Sequence, residues 1–263
     1  MFIINGTEVD IGLQTCVNYK TNPSLRIKMG EDGHTKRRGK VKSIIVHTTN
    51  GLYPQVILPG KGPVGKSAEN NVKYWTGNSG NAGAHLLIDY DATWIQTADL
   101  ITETTYHACD INEYSIGIEI VARTKKMAKG SVSEVYEEQL EKCADLCCFL
   151  LNLSNLYPQT QFPYNKNAIP RLKKGNDTVG VFCHFHQTTN RGPGDCGEEF
   201  FKRLYSRGFK KWDFSNTSDL EYWKSQGVAD GIPGPTTCVA LKNKGLYPNL
   251  LLKNGHVYFE EKS

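Results

Sequence analysis

The chain has 263 residues, of which 39% are hydrophobic and 22% charged, so a large packed core is available and global disorder is excluded. No apolar run approaches the length of a bilayer crossing, and the opening MFIINGTEVD lacks the basic and long apolar regions of a secretory signal, so no membrane partner is expected. A net charge of +4 with a pI near 8.5 suits an anionic polymer as partner but is too weak to argue for nucleic acid, and none is expected.

Residues 1–42 read as a polar lead-in with a small hairpin at its start. The basic run Lys36-Arg37-Arg38-Gly39-Lys40-Val41-Lys42 reads as a solvated approach to the next strand. SIIVH (43–47) is a short apolar run closing on a polar residue, the pattern of a buried strand that delivers one side chain to a sheet edge. Residues 50–66 form a Gly/Pro loop, and GKGPVGKS (60–67) fits the phosphate-loop pattern G-x-x-x-x-G-K-[ST]. Such a loop cradles phosphate only between a buried parallel strand and a helix N-terminus. Ser67 can cap a helix over 68–76, with Val72, Tyr74 and Trp75 as its apolar contacts. AHLLIDYDATWIQTAD (84–99) reads as a hairpin turning at Asp89-Tyr90-Asp91-Ala92. SIGIEIVA (115–122) is a further strand, whose glycine marks a close backbone approach.

Helical spacing of Val135, Leu140, Cys143, Leu146, Cys147, Leu150 and Leu151 predicts a helix over 133–153. Cys143 and Cys147 thereby read as small core residues, in a chain whose eight cysteines are scattered rather than regularly spaced. TVGVFCH (178–184) is a second buried strand closing on histidine, followed by a Gly/Pro turn and a helix over about 197–206. The tail changes character from about 212, where ADGIPGPTTCVALKNKGL (229–246) sets a D-G-x-x-G-P-x-T turn before an apolar helical stretch.

Two strands that both end on histidine can bring His47 and His184 to one edge of a sheet. Behind the second lies Arg191-Gly192-Pro193-Gly194-Asp195-Cys196-Gly197, a tight turn presenting a carboxylate and a thiol. Two imidazoles and one anionic ligand leave a tetrahedral zinc with an open fourth position, the layout of a hydrolytic centre. The competing reading of each histidine is an ordinary hydrogen-bonding side chain. Glu119 stands on an otherwise apolar strand, where a carboxylate is costly unless paired or functional.

SIIVHTTNG, AGAHLLIDYDATWIQTADL, TYHACDINEYSIGIEIVA and VFCHFHQTTNRGPGDCGEEFF follow one another in an order and spacing that resembles the zinc-dependent N-acetylmuramoyl-L-alanine amidases, over about residues 43–206. That superfamily also includes phage lysozyme-type amidases and peptidoglycan recognition proteins. The resemblance implies an α/β fold, a mixed central β-sheet flanked by helices, with zinc at one end of a substrate groove. It implies His47 and His184 as zinc ligands, with His186 as a rival two residues on, and Asp195 as the third, with Cys196 as its alternative. Glu119 matches the general base, and His107 a groove histidine that contacts substrate or the developing oxyanion. His85 matches a structural hairpin position. Several family members carry a lysine where this chain has Pro193, which leaves Arg191 as the nearest cation for the oxyanion.

The implied organisation is a lead-in (1–42), a zinc amidase domain (43–211) and a small C-terminal extension (212–263). The stretch Asp230–Thr236 resembles part of a peptidoglycan-binding module, with an extension packed on the amidase domain as the alternative. The implied activity is hydrolysis of the amide between N-acetylmuramic acid and L-alanine, a lytic, endolysin-like action on the cell wall by a monomer made in the cytoplasm. Its partner is peptidoglycan or a small muropeptide. The alternatives are a non-catalytic peptidoglycan-binding protein on the same fold and a phosphate-loop nucleotide binder. The last gives no purpose to either terminal histidine, and its only Walker-B-like acid, in LLIDYD, fits the hairpin better.

Overall fold

SIIVHT is apolar at 44–46 and SIGIEI at 116, 118 and 120, which suits strands covered on both faces, and they lie side by side in parallel at the centre of a sheet. The computed structural model describes residues 1–12, 15–27, 35–49, 56–57, 63–64, 67–77, 82–127, 130–151, 153, 180–183, 197–207, 209, 250–253 and 256–259. Its strands up to the first helix are β1 (Phe2–Ile4), β2 (Thr7–Val9), β3 (Cys16–Asn18), β4 (Thr35–Lys36), β5 (Ser43–Thr48), β6 (Val56–Ile57) and β7 (Pro63–Val64). After helix α1 (Ser67–Gly77) come β8 (Leu86–Ile88), β9 (Trp94–Gln96), β10 (Glu103–Thr104), β11 (Ser115–Ile120), β12 (Arg123–Met127) and β13 (Gly130–Glu134). Helix α2 (Glu137–Leu151), β14 (Gly180–Cys183), helix α3 (Gly197–Ser206), β15 (Leu250–Lys253) and β16 (His256–Phe259) complete the order.

Among the described residues the central sheet has six strands in the order β14-β5-β11-β8-β9-β3. Neighbours are parallel except for the β8–β9 hairpin, so the sheet is mixed. Alternation along the strands sorts side chains to two faces. Ile44, Val46, Ile116 and Ile118 share one cluster with Cys143, Leu146 and Leu150 of α2 and with Phe200 and Leu204 of α3. Leu87 and Ile95 point the other way, onto Ala68 and Val72 of α1, and Ile45 packs on Ala108 and Ile111. Helices therefore cover both faces, as expected. Cys143 and Cys147 are fully buried core residues, also as expected.

Several boundaries differ from the sequence reading. The lead-in does open on a hairpin, β1–β2, turned by Asn5 (φ 52°) and Gly6 (φ 77°), the left-handed pair that a two-residue hairpin requires. Its later part is not separate from the main sheet, because Cys16–Asn18 forms the edge strand paired with β9. The Gln96 side chain accepts from Ile3 N–H at 2.7 Å and donates to Ile3 C=O at 2.8 Å, fixing β1 to the end of β9. Helix α2 starts at Glu137 rather than 133, since residues 130–134 pair with β12. Gln139 sets that start by accepting from Tyr136 N–H at 3.0 Å, while its amide donates to the carbonyls of Ile88, Asp89 and Val121. At the start of α1 the cap is not local: the Asp89 carboxylate, from the β8–β9 turn, accepts from Ala68 N–H at 3.1 Å.

The basic run is likewise divided. Lys36, Arg38 and Lys40 are exposed, but Arg37 is only 8% exposed and does not belong to a solvated stretch. Its guanidinium donates to the carbonyls of Asn112, Glu113 and Ser115 at 3.2, 2.8 and 3.0 Å, gathering the entry to β11. Of the phosphate-loop pattern only Pro63, Val64 and Ser67 are described. The strand ahead of Gly60, β6, pairs antiparallel with β7 over two residues and is no part of the parallel sheet that a phosphate loop leaves from.

Candidate active site

Open α/β sheets bind ligands beyond the C-terminal ends of their strands, and that end of β5 and β11 carries His47 and Glu119. The parallel register sets Glu119 opposite His47, Gly117 opposite Ile45 and Ser115 opposite Ser43. By alternation all six lie on the face away from α2 and α3. His47 is completely buried and Glu119 half-buried. On the other side of β5, β14 runs parallel in a register that ends with Cys183 opposite Val46.

His107 enters this face from the loop after β10. Its backbone is held by Asn112, whose side-chain oxygen accepts from His107 N–H at 3.0 Å and Ala108 N–H at 2.6 Å. Its ring lies against β11 at Gly117: a Cβ there would sit 2.5 Å from the His107 Cγ, so the close approach expected at this glycine is the imidazole. The two ring nitrogens face His47 Nε2 at 3.2 Å, through Nδ1, and the Ser115 hydroxyl at 3.1 Å, through Nε2. The His47 and His107 rings meet edge to face, 5.4 Å apart at 88°. His107 is 8% exposed.

His85 stands on the far side of His107, their ring centres 5.7 Å apart. Its Nδ1 accepts from Gly117 N–H at 3.0 Å and lies 2.9 Å from the Thr105 hydroxyl, so its single proton belongs on Nε2, which donates to Glu103 C=O at 3.0 Å. The Arg37 guanidinium lies 2.9 Å from the same nitrogen. Burial, and then the Arg37 charge, hold His85 well below the usual histidine range, so it stays neutral. Burial also lowers Arg37 to about 10, which leaves it charged at neutral pH. His85 is thus a structural residue that grips β11 by its backbone, as the sequence reading had it.

Residues 37–194, more than half of the chain, match the family model for N-acetylmuramoyl-L-alanine amidase. The chain belongs to the N-acetylmuramoyl-L-alanine amidase family. The match contains His47, His107, Glu119, His184, His186 and Arg191, and it stops one residue before Asp195. The sheet is mixed and helices cover both of its faces, as the family resemblance implies.

Solved structures similar to the chain include the Staphylococcus aureus hydrolase AmiA in complex with its ligand, at 16% identity over 65% of each chain with a TM-score of 0.36. The chain thus spans just under two thirds of AmiA. A second is the complex of tracheal cytotoxin with peptidoglycan recognition proteins LCa and LCx (14% identity, 74% of this chain and 98% of that one, TM-score 0.46). A third is AmpDh3 from Pseudomonas aeruginosa (18% identity, 80% and 76%, TM-score 0.41). Compared with curated proteins, the sequence matches none.

Of the site residues expected from sequence, His47, His107 and Glu119 are brought together by the amidase fold. His184, His186, Arg191, Asp195 and Cys196 lie outside the described residues. Among the described residues no three His, Cys, Asp or Glu side chains form a group able to hold a metal. Three contributors escaped the sequence reading: Ser115, Asn112 and Arg37. Their roles depend on contacts across 8, 5 and 78 residues of separation, and no spacing rule along a strand or helix reports such contacts.

Proposed function

We propose that the chain is a zinc-dependent hydrolase that cleaves the amide between the N-acetylmuramic acid lactyl group and L-alanine of peptidoglycan. The observation that carries this reading is a half-buried carboxylate, Glu119, one strand over from and level with a fully buried histidine, His47, each the penultimate residue of its strand, in a chain of the amidase family. A buried imidazole at a strand end is a donor that suits zinc, and a carboxylate beside it suits a base. His47, His184 and Asp195 would hold the ion, with His186 and Cys196 as the alternative donors. The parallel register that ends with Cys183 opposite Val46 supports pairing the ligands that follow these two positions. Zinc, when bound, supplies Lewis-acid polarisation of the scissile carbonyl and lowers the pKa of its water to about 7.

The chain's own residues do the rest. Glu119 takes the proton lost by the attacking water as the new C–O bond forms, then returns it to the amide nitrogen as the C–N bond breaks. The products are a lactyl carboxylate and a free L-alanine amine. Arg191 is the cation assigned to the developing oxyanion.

Metal content and product analysis test the proposal together. Purified protein is expected to carry one zinc per chain and to release stem peptides with new N-terminal L-alanine from purified peptidoglycan, read by mass spectrometry. Folded, zinc-loaded protein that binds the wall but frees no amino termini would defeat the catalytic reading and leave a binding protein.

A further inference from the structure

We propose that His107 is a positioning residue that fixes the tautomer of His47, and that Ser115 and the Ile111 carbonyl set the direction of the chain. This rests on the reading of His47 as a metal ligand. The Ile111 carbonyl is the one group here whose role cannot change. A backbone carbonyl only accepts, so the Ser115 hydroxyl, 2.7 Å from Ile111 O, spends its single proton there. Its oxygen is then an acceptor towards His107 Nε2 at 3.1 Å, which places the His107 proton on Nε2. A neutral His107 accordingly offers a lone pair at Nδ1, and His47 Nε2, 3.2 Å away, donates to it. The His47 lone pair is left on Nδ1.

A histidine that ligates a metal through one nitrogen is oriented by what its other nitrogen donates to. A carboxylate or carbonyl does this unambiguously. An imidazole does not, because a neutral ring can accept or donate at either nitrogen, and a free choice by His107 would let His47 carry its proton on the ligating atom. The Ser115–Ile111 pair removes that choice. Sequence and packing are consistent with a built arrangement. Asn112 fixes the His107 backbone, Gly117 vacates the space its ring occupies, and Ser115 stands two residues before Gly117 on the same face. The short segment from His107 to Glu119 thus carries both the base and the support of the ligand one strand away. In the same geometry both ring nitrogens of His107 are engaged with protein, one with His47 and one with Ser115.

Long-range proton–nitrogen NMR on the zinc-free, histidine-labelled full chain reads the tautomers directly. The expected result is His47 and His107 both protonated on Nε2 alone. Ser115→Ala, a small change that leaves His107 in place, should mix the tautomers of both rings and weaken zinc binding about 10–100-fold in chelator competition. His107→Asn, whose side-chain oxygen can accept where Nδ1 did, should recover part of the affinity that His107→Ala loses. Two results overturn the proposal while leaving the ligand assignment intact: His47 protonated on Nδ1 in the wild-type chain, or Ser115→Ala and His107→Ala binding zinc as tightly as wild type. A wild-type chain that shows the expected tautomers yet takes up no zinc would instead overturn the ligand reading, and with it the purpose of the relay.

Discussion

Replacing Glu119 with Gln is expected to leave zinc content and stability close to wild type and to lower the turnover of peptidoglycan amides by about 10²–10⁴-fold, the usual contribution of a positioned base. The substitution keeps the shape of the side chain and removes only its capacity to take a proton. Glu119 stands level with His47 on the neighbouring strand, so a loss of metal in this variant would show that the carboxylate ligates. Unchanged turnover would remove it from the proton path. Rates on a soluble muropeptide and zinc content from the same preparations separate these outcomes.

The second large effect is expected at Gly117. An alanine at this position gains backbone rigidity that by itself would favour the variant by about 0.5–1 kcal/mol in a strand. Against this, the new Cβ would sit 2.5 Å from Cγ of His107 and 2.7 Å from its Nδ1. The obstructing atoms belong to a ring held at both nitrogens, not to the free end of a flexible chain, so the ring must leave its place. Overpacking of this kind costs about 1–3 kcal/mol and outweighs the backbone gain. Gly117→Ala should therefore lower stability in chemical denaturation, and zinc affinity should fall with the displaced support of His47. The double variant Gly117→Ala with His107→Ala should be less destabilised than the sum of the two single changes, because the second removes what the first collides with. Additive costs would mean that the alanine meets something other than His107.

Much of this geometry could be read from the chain before any coordinates. SIIVHT and SIGIEI announced themselves as doubly covered strands through their apolar residues at 44–46 and at 116, 118 and 120, and the ionisable side chains among them, His47 and Glu119, stood out for that reason. Gly117 was legible as a close approach, though what approaches it was not. The α2 start was misplaced because Val135 is apolar and in helical phase, yet it lies in the link between β13 and the helix, where Gln139 sets the boundary. Ser67 looked like the cap of α1, but the acceptor comes from Asp89, more than twenty residues further along. Arg37 sat in a run of cations that on average is solvated, and only the carbonyls of 112, 113 and 115 converging on it explain its burial. The cap of α1 and the burial of Arg37 could not be read because each is a hydrogen bond between residues far apart in sequence, where local propensity and periodicity carry no signal.

On the proposed reading, His47 is one of the side chains holding a single zinc ion beside Glu119. Crystals of the zinc-loaded chain, with diffraction measured on both sides of the zinc absorption edge, address it directly. One anomalous peak is expected in contact with the His47 imidazole, its other protein ligands drawn from the segment 184–196 and the Glu119 carboxylate close by but not ligating. A zinc peak that does not touch His47 would contradict it.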